Sequence, residues 1–180
     1  MTDTTTGRVA VITGASSGIG AGTARSPAAE GYRVVLLARR QDRTDALAEQ
    51  IGAAATAIAA DVTDRDSLVA AARRVCDELG GADVLVNNAG TMLLGPFSPE
   101  QRWSESLCQE PVPDVRVTLI EPGVVATELP THITHEATRA AVQQGYDVAT
   151  VQPEEIAFVL SRPWHLVINE VLLRPADQQG

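Results

Sequence analysis

The chain has 180 residues, 44% of them hydrophobic and 21% charged, enough to give one domain a core and unlike the composition of a disordered segment. Fourteen basic against 23 acidic residues leave a net charge of -9, which argues against a broad hold on nucleic acid or an anionic membrane; an anionic ligand must be gripped locally. Cys76 and Cys108 make neither a metal-type spacing nor a disulfide framework, no apolar run approaches a bilayer span, and the start MTDTTTG has no leader character. The expectation is a single cytoplasmic domain over residues 1–180, with no metal, nucleic-acid or membrane partner.

Short β-rich runs alternate with helical patterns through the first half, the signature of a parallel sheet covered by helices. Strands are predicted at Arg8–Thr13, Arg33–Ala38, Ala55–Ala60 and Asp83–Asn87. Helices are predicted at Ile19–Glu30, Thr44–Ile51 and Asp66–Leu79, the last with apolar positions at Leu68, Val69, Ala72, Val75 and Leu79, and with Cys76 as a small buried hydrophobe. Pro27 inside the first helix costs about 3 kcal/mol unless the helix ends early. From Thr91 to Asp114 the rhythm breaks around Gly95 and four prolines, with one helical candidate at Gln101–Glu110. It resumes with a strand at Val115–Glu121, a helix at His135–Gln144, a short helix at Pro153–Leu160 and a strand at His165–Leu173. Because β-α-β crossovers are right-handed, the expected fold is α/β: a Rossmann-like, doubly wound parallel sheet in three layers.

Thr13-Gly14-Ala15-Ser16-Ser17-Gly18-Ile19-Gly20 follows the first strand and opens the first helix, the context a glycine-rich phosphate turn requires. Gly14 suits the tight turn, Gly18 a close backbone approach to a pyrophosphate, and Gly20 close helix-to-strand packing. The phosphate charge then meets unsatisfied N–H groups at a helix N-terminus. Alone, such a turn is also an ordinary strand-to-helix connection. At the end of the second strand, where an acid would receive a ribose 2'-hydroxyl, the chain has Ala38, Arg39 and Arg40. Guanidinium pairs with phosphate, so NADP is favoured over NAD, a solvated arginine pair being the plainer alternative. Asp61 and Val62 close the third strand, as an adenine contact or a cap, and Asn87-Asn88-Ala89-Gly90 closes the fourth.

In these motifs, with Pro122-Gly123 and Thr127 beyond the later strand, the sequence resembles the classical short-chain dehydrogenase/reductase family over two blocks, 7–103 and 104–177. The resemblance implies a cofactor site formed by Gly14, Ser16, Ser17, Gly18, Ile19, Gly20, Arg39, Arg40, Asp61, Val62, Asn87, Asn88, Ala89, Gly90, Pro122, Gly123 and Thr127. It also implies hydride transfer between NADP(H) and a small carbonyl or alcohol, with a homo-oligomer expected.

The family's chemistry needs a tyrosine to move the proton and a lysine one helical turn on to lower its pKa, with a serine about 13 residues upstream. All fourteen basic residues here are arginine, so no lysine is available. Tyr32 and Tyr146 are followed four residues on by Leu36 and Thr150, and preceded thirteen residues back by Ile19 and Ile133. The resemblance runs up to Arg102-Trp103 and resumes at Ser104-Glu105-Ser106-Leu107, which implies that about 60 residues of a family domain of about 240 to 250 are absent between them, with the fifth strand, its adjoining helices and the whole serine-tyrosine-lysine set. No catalytic residue is assigned. The expectations are cofactor binding with weak or no turnover, a non-catalytic NADP-binding or dimer-forming pseudoenzyme, or an internally deleted product without a settled fold. The segment from Val115 can pair beside the fourth strand across the gap, since about a dozen residues suffice for a crossover. Its Val115, Val117 and Leu119 stripe, left without helical cover, favours self-association. His132, His135 and Glu136 read as a solvated lid segment rather than a metal site, and Glu121 as an ordinary strand-end acid.

Overall fold

The computed structural model describes residues 7–90, 117–128, 151–162 and 168–176, with 133, 136, 139, 140, 143 and 166 between them. The regular elements are β1 (Val9–Thr13), α1 (Gly18–Ala29), β2 (Arg33–Ala38), α2 (Gln41–Ile51), β3 (Ala55–Ala59), α3 (Arg65–Leu79), β4 (Val84–Val86), β5 (Leu119–Pro122), a 3-10 helix (Pro153–Ser161) and β6 (Glu170–Leu173). The first four strands form one parallel sheet in the order β3-β2-β1-β4, with Val9 opposite Arg33 and Ala10 opposite Val84.

Alternation along the strands splits the core into two faces. Val9, Val11, Val35, Leu37 and Ile58 turn toward α3, where Ala71 and Val75 are buried and Leu79 packs alongside. Ala10, Ile12, Val34 and Leu36 turn the other way, onto Ala24 of α1 and Leu47 of α2. Burial on both faces is what a parallel sheet requires, and it gives the three layers expected. The contact stripe of α3 differs in detail from the sequence reading: it runs through Ala71, Val75 and Leu79 at a spacing of four. One position further along turns a side chain about 100° off that stripe. Ala72 and Cys76 are therefore exposed, and Val69 is 39% exposed.

Helix α1 tolerates Pro27 because it ends at Ala29, so the ring lies in the last turn and is buried. The Pro27 carbonyl accepts the backbone N–H of Glu30 and of Tyr32, turning the chain into β2. Helix α2 begins at Gln41, three residues before the position read from the sequence; Thr44 is buried and donates its hydroxyl to the Gln41 carbonyl. Helix α3 is capped by Asp64, which accepts the N–H groups of Asp66 and Ser67, and is closed by Gly80 in the left-handed conformation.

The expected pairing of the Val115 segment with the fourth strand is not what forms. Strand β5 pairs in parallel with β6, Leu119 opposite Glu170, as a separate two-stranded sheet. Its anchor is a small cluster: Val125 and Val151 are buried, and Ile120, Leu173 and Ile19 of α1 pack on them. Val117 and Leu119 are half-buried. The far edge of β4 carries no strand among the described residues, and Leu85 on it is 59% exposed. The 3-10 helix starts at Pro153, its entry fixed by the Gln152 N–H donating to the Glu155 carboxylate, and it packs along α1. Glu136, Arg139, Ala140 and Gln143 are helical. The candidate helix at 101–110, Val115, Cys108, Tyr146, the three histidines and the junction at 103 and 104 lie outside the described residues.

Candidate functional site

The C-terminal ends of β1, β2 and β4 converge on the glycine turn, and a single threonine organises the junction. Thr13, buried at the end of β1, donates its hydroxyl to the Val86 carbonyl at 3.2 Å and accepts the backbone N–H groups of Asn88 and Ala89, each at 3.0 Å. Asn88 answers by donating its side-chain amide to the Thr13 carbonyl at 2.9 Å and the Gly14 carbonyl at 3.4 Å. The Ala15 N–H donates to the Leu37 carbonyl at 3.2 Å, which ties the turn to β2 as well.

This packing decides which positions must be glycine. Gly14 has φ +67°, and a Cβ there would lie 2.8 Å from Cα of Ala89. Gly20 has no positive φ, yet a Cβ on it would lie 2.5 Å from both Nδ2 of Asn88 and the carbonyl oxygen of Gly14. Gly18, with φ +54°, faces Thr127, whose side chain a Cβ would meet at 3.2 Å. Thr127 thus reaches the turn from the other sheet. Its segment is held by the Ala126 N–H donating to the Val151 carbonyl at 3.0 Å and the Val151 N–H donating to the Val124 carbonyl at 2.8 Å.

A polar cluster lies beside the turn. Arg40 donates through Nε and Nη2 to Oγ of Ser16 at 3.2 and 3.1 Å, and through Nη2 to Oγ of Ser17 at 2.7 Å. The same Nη2 lies 3.0 Å from Oε1 of Glu128, while Nη1 of Arg43 reaches Oε1 and Oε2 at 3.0 and 2.9 Å. Hydrogen bonds from Arg43, then Ser17, then Arg40 lower the Glu128 carboxyl to about 2, against a smaller opposing effect of burial. The Ser17 backbone is extended at the N-terminus of α1, whose first turn carries no acid. Helix N–H groups, two hydroxyls and two guanidinium groups therefore face one place, a donor set suited to an anion.

Other residues named from the sequence lie at the same ends of the sheet without joining this network. Arg39 is exposed, and its charge is the least of the effects that hold Asp61 below the usual carboxylate range; the Thr63 backbone N–H is the largest and the Thr63 hydroxyl follows. Asp61 thus closes a local turn on Thr63, and the α3 cap is Asp64. Val62 is 41% exposed, Asn87 and Gly90 are exposed, and Pro122 and Gly123 end β5, where the Gly123 N–H donates to the Leu173 carbonyl at 2.6 Å. Thr13, Arg43 and Glu128 are additions that the sequence reading lacked. Arg43 carries a faint signal, three residues beyond Arg40 on the first turn of α2. Glu128 carries none, because its partner Arg40 is 88 residues away. No group of three or more metal-ligating side chains occurs among the described residues.

Tyr32 is buried just before β2, at the opposite end of the sheet from the turn. Six strand residues at about 3.3 Å each separate it from Arg39, so its phenol cannot serve this site.

Comparison with known proteins agrees with this architecture. An uncharacterized oxidoreductase of Staphylococcus saprophyticus is 27% identical over 239 residues, covering 95% of this chain and 97% of that protein. The chain spans only 19% of one other curated relative it matches, and 22% of two more. Among solved structures, the closed form of a serine dehydrogenase complexed with NADP+ superposes with a TM-score of 0.80 at 22% identity, covering 96% of each chain. A metagenomic short-chain oxidoreductase in complex with NADP gives a TM-score of 0.61 at 28% identity, covering 95% of this chain and 98% of that one. Residues 8–108, more than half of the chain, match the family described as short chain dehydrogenase, and with the parallel sheet and glycine turn above the chain belongs to that oxidoreductase family.

Proposed function

We propose that this chain binds NADP(H) at the glycine turn and has lost the means to transfer the accompanying proton. The observation that carries the reading is Arg40: it stands at the end of β2, where an acid would repel a 2'-phosphate, and is aimed at the turn by Ser16 and Ser17. Gly14, Gly18 and Gly20 leave the backbone bare there, and the N-terminus of α1 presents N–H groups to a diphosphate. Arg40 and Arg43 suit the ribose phosphate, Asp61 and Val62 the adenine side, Asn87 to Gly90 the ribose of the nicotinamide half, and Pro122, Gly123 and Thr127 its ring. Arg39 is a second cation at the rim. The cofactor held there would be a hydride source for a small carbonyl carbon. The protein must then hand a proton to the oxygen, and a chain without lysine has no tyrosine-lysine pair to do so.

An internal shortening accounts for the missing chemistry. An alignment of 239 residues laid on a chain of 180 must leave stretches of the relative unmatched. Reading the encoding locus across codons 103 and 104 tests this directly. Titrating the protein into NADPH should enhance nicotinamide fluorescence. Arg40→Gln should weaken NADPH at least tenfold while leaving NADH within about twofold, because a charged hydrogen bond to phosphate is lost and nothing equivalent to a hydroxyl. Equal losses for both nucleotides would overturn the phosphate assignment. Small aldehydes and ketones should produce no NADPH oxidation, and steady turnover would refute the loss of proton transfer.

Leu85 of β4, 59% exposed on a strand whose far edge is unpaired among the described residues, favours a second property: self-association of the chain. Sedimentation velocity should show a concentration-dependent dimer or larger species, and a monomer at every concentration excludes it.

A further inference from the structure

The turn-facing guanidinium group of Arg40 already has an anionic partner. Both oxygens of Glu128 are taken up by Arg43, and one of them also by the Nη2 of Arg40 that bonds Ser17. We propose that Glu128 is a built-in competitor for the cofactor's 2'-phosphate, tethered to the far sheet and holding the two guanidinium groups that the phosphate needs. The inference rests on the reading of Arg40 as the phosphate residue.

A carboxylate and a phosphate monoester present the same thing to an arginine fork, paired anionic oxygens, and both favour bidentate donors. Two anions within about 4 Å of one guanidinium group repel each other, so seating the phosphate displaces the carboxylate. Glu128 has room to leave, since its side chain is 33% exposed. Its chain does not follow freely: Val125 is buried and Ala126 is bonded to Val151, so displacement falls on the Glu128 side chain. A ribose 2'-hydroxyl brings no charge and has no need of either arginine. Glu128 therefore opposes NADPH and not NADH, and it lowers the selectivity that Arg40 creates. The juxtaposition exists only in the fold, because the acid and the arginines come from opposite halves of the chain.

The test is a fluorescence titration of NADPH and of NADH against the wild-type chain and Glu128→Gln, which keeps the side chain's shape and removes its charge. The ratio of NADPH to NADH affinity should rise about fivefold, the effect of releasing one partly exposed ion pair. Glu128→Asp, one methylene shorter, should shift the ratio the same way by less and covers the case in which the glutamine variant fails to fold. An unchanged or lower ratio with both nucleotides bound overturns the competitor role alone. Failure of the wild-type chain and both variants to bind either nucleotide overturns the cofactor reading and this inference together.

Discussion

Gly20→Ala sets two opposed effects against each other, and the structure decides which prevails. Gly20 lies in the first turn of α1 with an ordinary helical φ, so alanine removes a backbone entropy cost and favours the helix by about 1 kcal/mol. The added Cβ would sit 2.5 Å from the Gly14 carbonyl oxygen and from Nδ2 of Asn88. A normal carbon-oxygen contact needs about 3.3 Å or more, so the obstacle must retreat by most of an ångström. The amide can rotate away, but only by giving up its bonds to the Thr13 and Gly14 carbonyls; the Gly14 carbonyl belongs to the turn and cannot move alone. Overpacking of this kind costs about 1 to 3 kcal/mol, and a lost buried hydrogen bond about 1 more. The net expectation is destabilisation by about 1 to 3 kcal/mol, read as a lower urea midpoint with an unchanged slope. NADPH affinity should fall with it, because the displaced atoms form the phosphate turn. A Gly20→Ala variant as stable as the wild type would show that the helix, the turn and Asn88 do not meet as described, and the cradle argument would fail with it.

Thr13→Val keeps the shape of the side chain and deletes an oxygen that accepts two N–H groups and donates once; leaving Asn88 and Ala89 without that acceptor should cost about 2 to 3 kcal/mol by urea denaturation. Loss of less than about 0.5 kcal/mol would mean the junction is solvated instead. Glu128 supplies a pH signature: its folded pKa of about 2 lies below the ordinary 4.5, so its contribution is complete above pH 4.5 and is lost as pH falls toward 2. With a side chain one-third exposed and partners exposed further, screening limits that contribution to about 1 kcal/mol. The stability gap between wild type and Glu128→Gln should therefore be flat near neutrality and narrow progressively as pH falls from 4.5 toward 2, and a gap still undiminished at pH 2 contradicts the pairing.

The first half of the fold was legible because its signals are local. RVAVIT and RVVLLA are short continuous apolar runs, as strands covered on both faces must be, and Val9, Val11 and Val35 fall on one face with Ala10, Ile12 and Val34 on the other. The glycine turn was legible for the same reason. What escaped depends on partners far apart in the chain. The contact stripe of α3 is chosen by where β1 and β3 lie beneath it, so apolar Val69 and Ala72 scored as core although the sheet meets Ala71 and Val75. Gly20 reads from the sequence as allowing close helix-to-strand packing, but one of its two close neighbours, the Asn88 amide just beyond β4, lies too far along the chain to be named from the turn itself. The pairing of β5 with β6 follows from Val125, Val151 and Ile19 coming together, which no single window of sequence contains.

That division also bears on how the proposed nucleotide site would depend on the rest of the chain. The adenosine half of the proposed site falls on β1, α1, β2, α2 and β3, and the two apolar clusters that hold these elements together lie within residues 9–86. Ile12 and Leu36 on the inner strands are fully buried, whereas Leu85 of β4 is 59% exposed. The nicotinamide half has no such independence. Thr127 reaches Gly18 only because β5 and β6 lean on Ile19 through Val125 and Val151, a cluster with two fully enclosed members. Hydrophobic stabilisation scales with buried apolar area, so the second contact is the weaker by a wide margin. Local opening should therefore begin at 119–128 and leave the phosphate turn intact. Hydrogen exchange gives the order: the N–H of Ala126 should exchange well before those of Val11 and Leu36, and exchange in the reverse order would mean that the two sheets stand or fall as one.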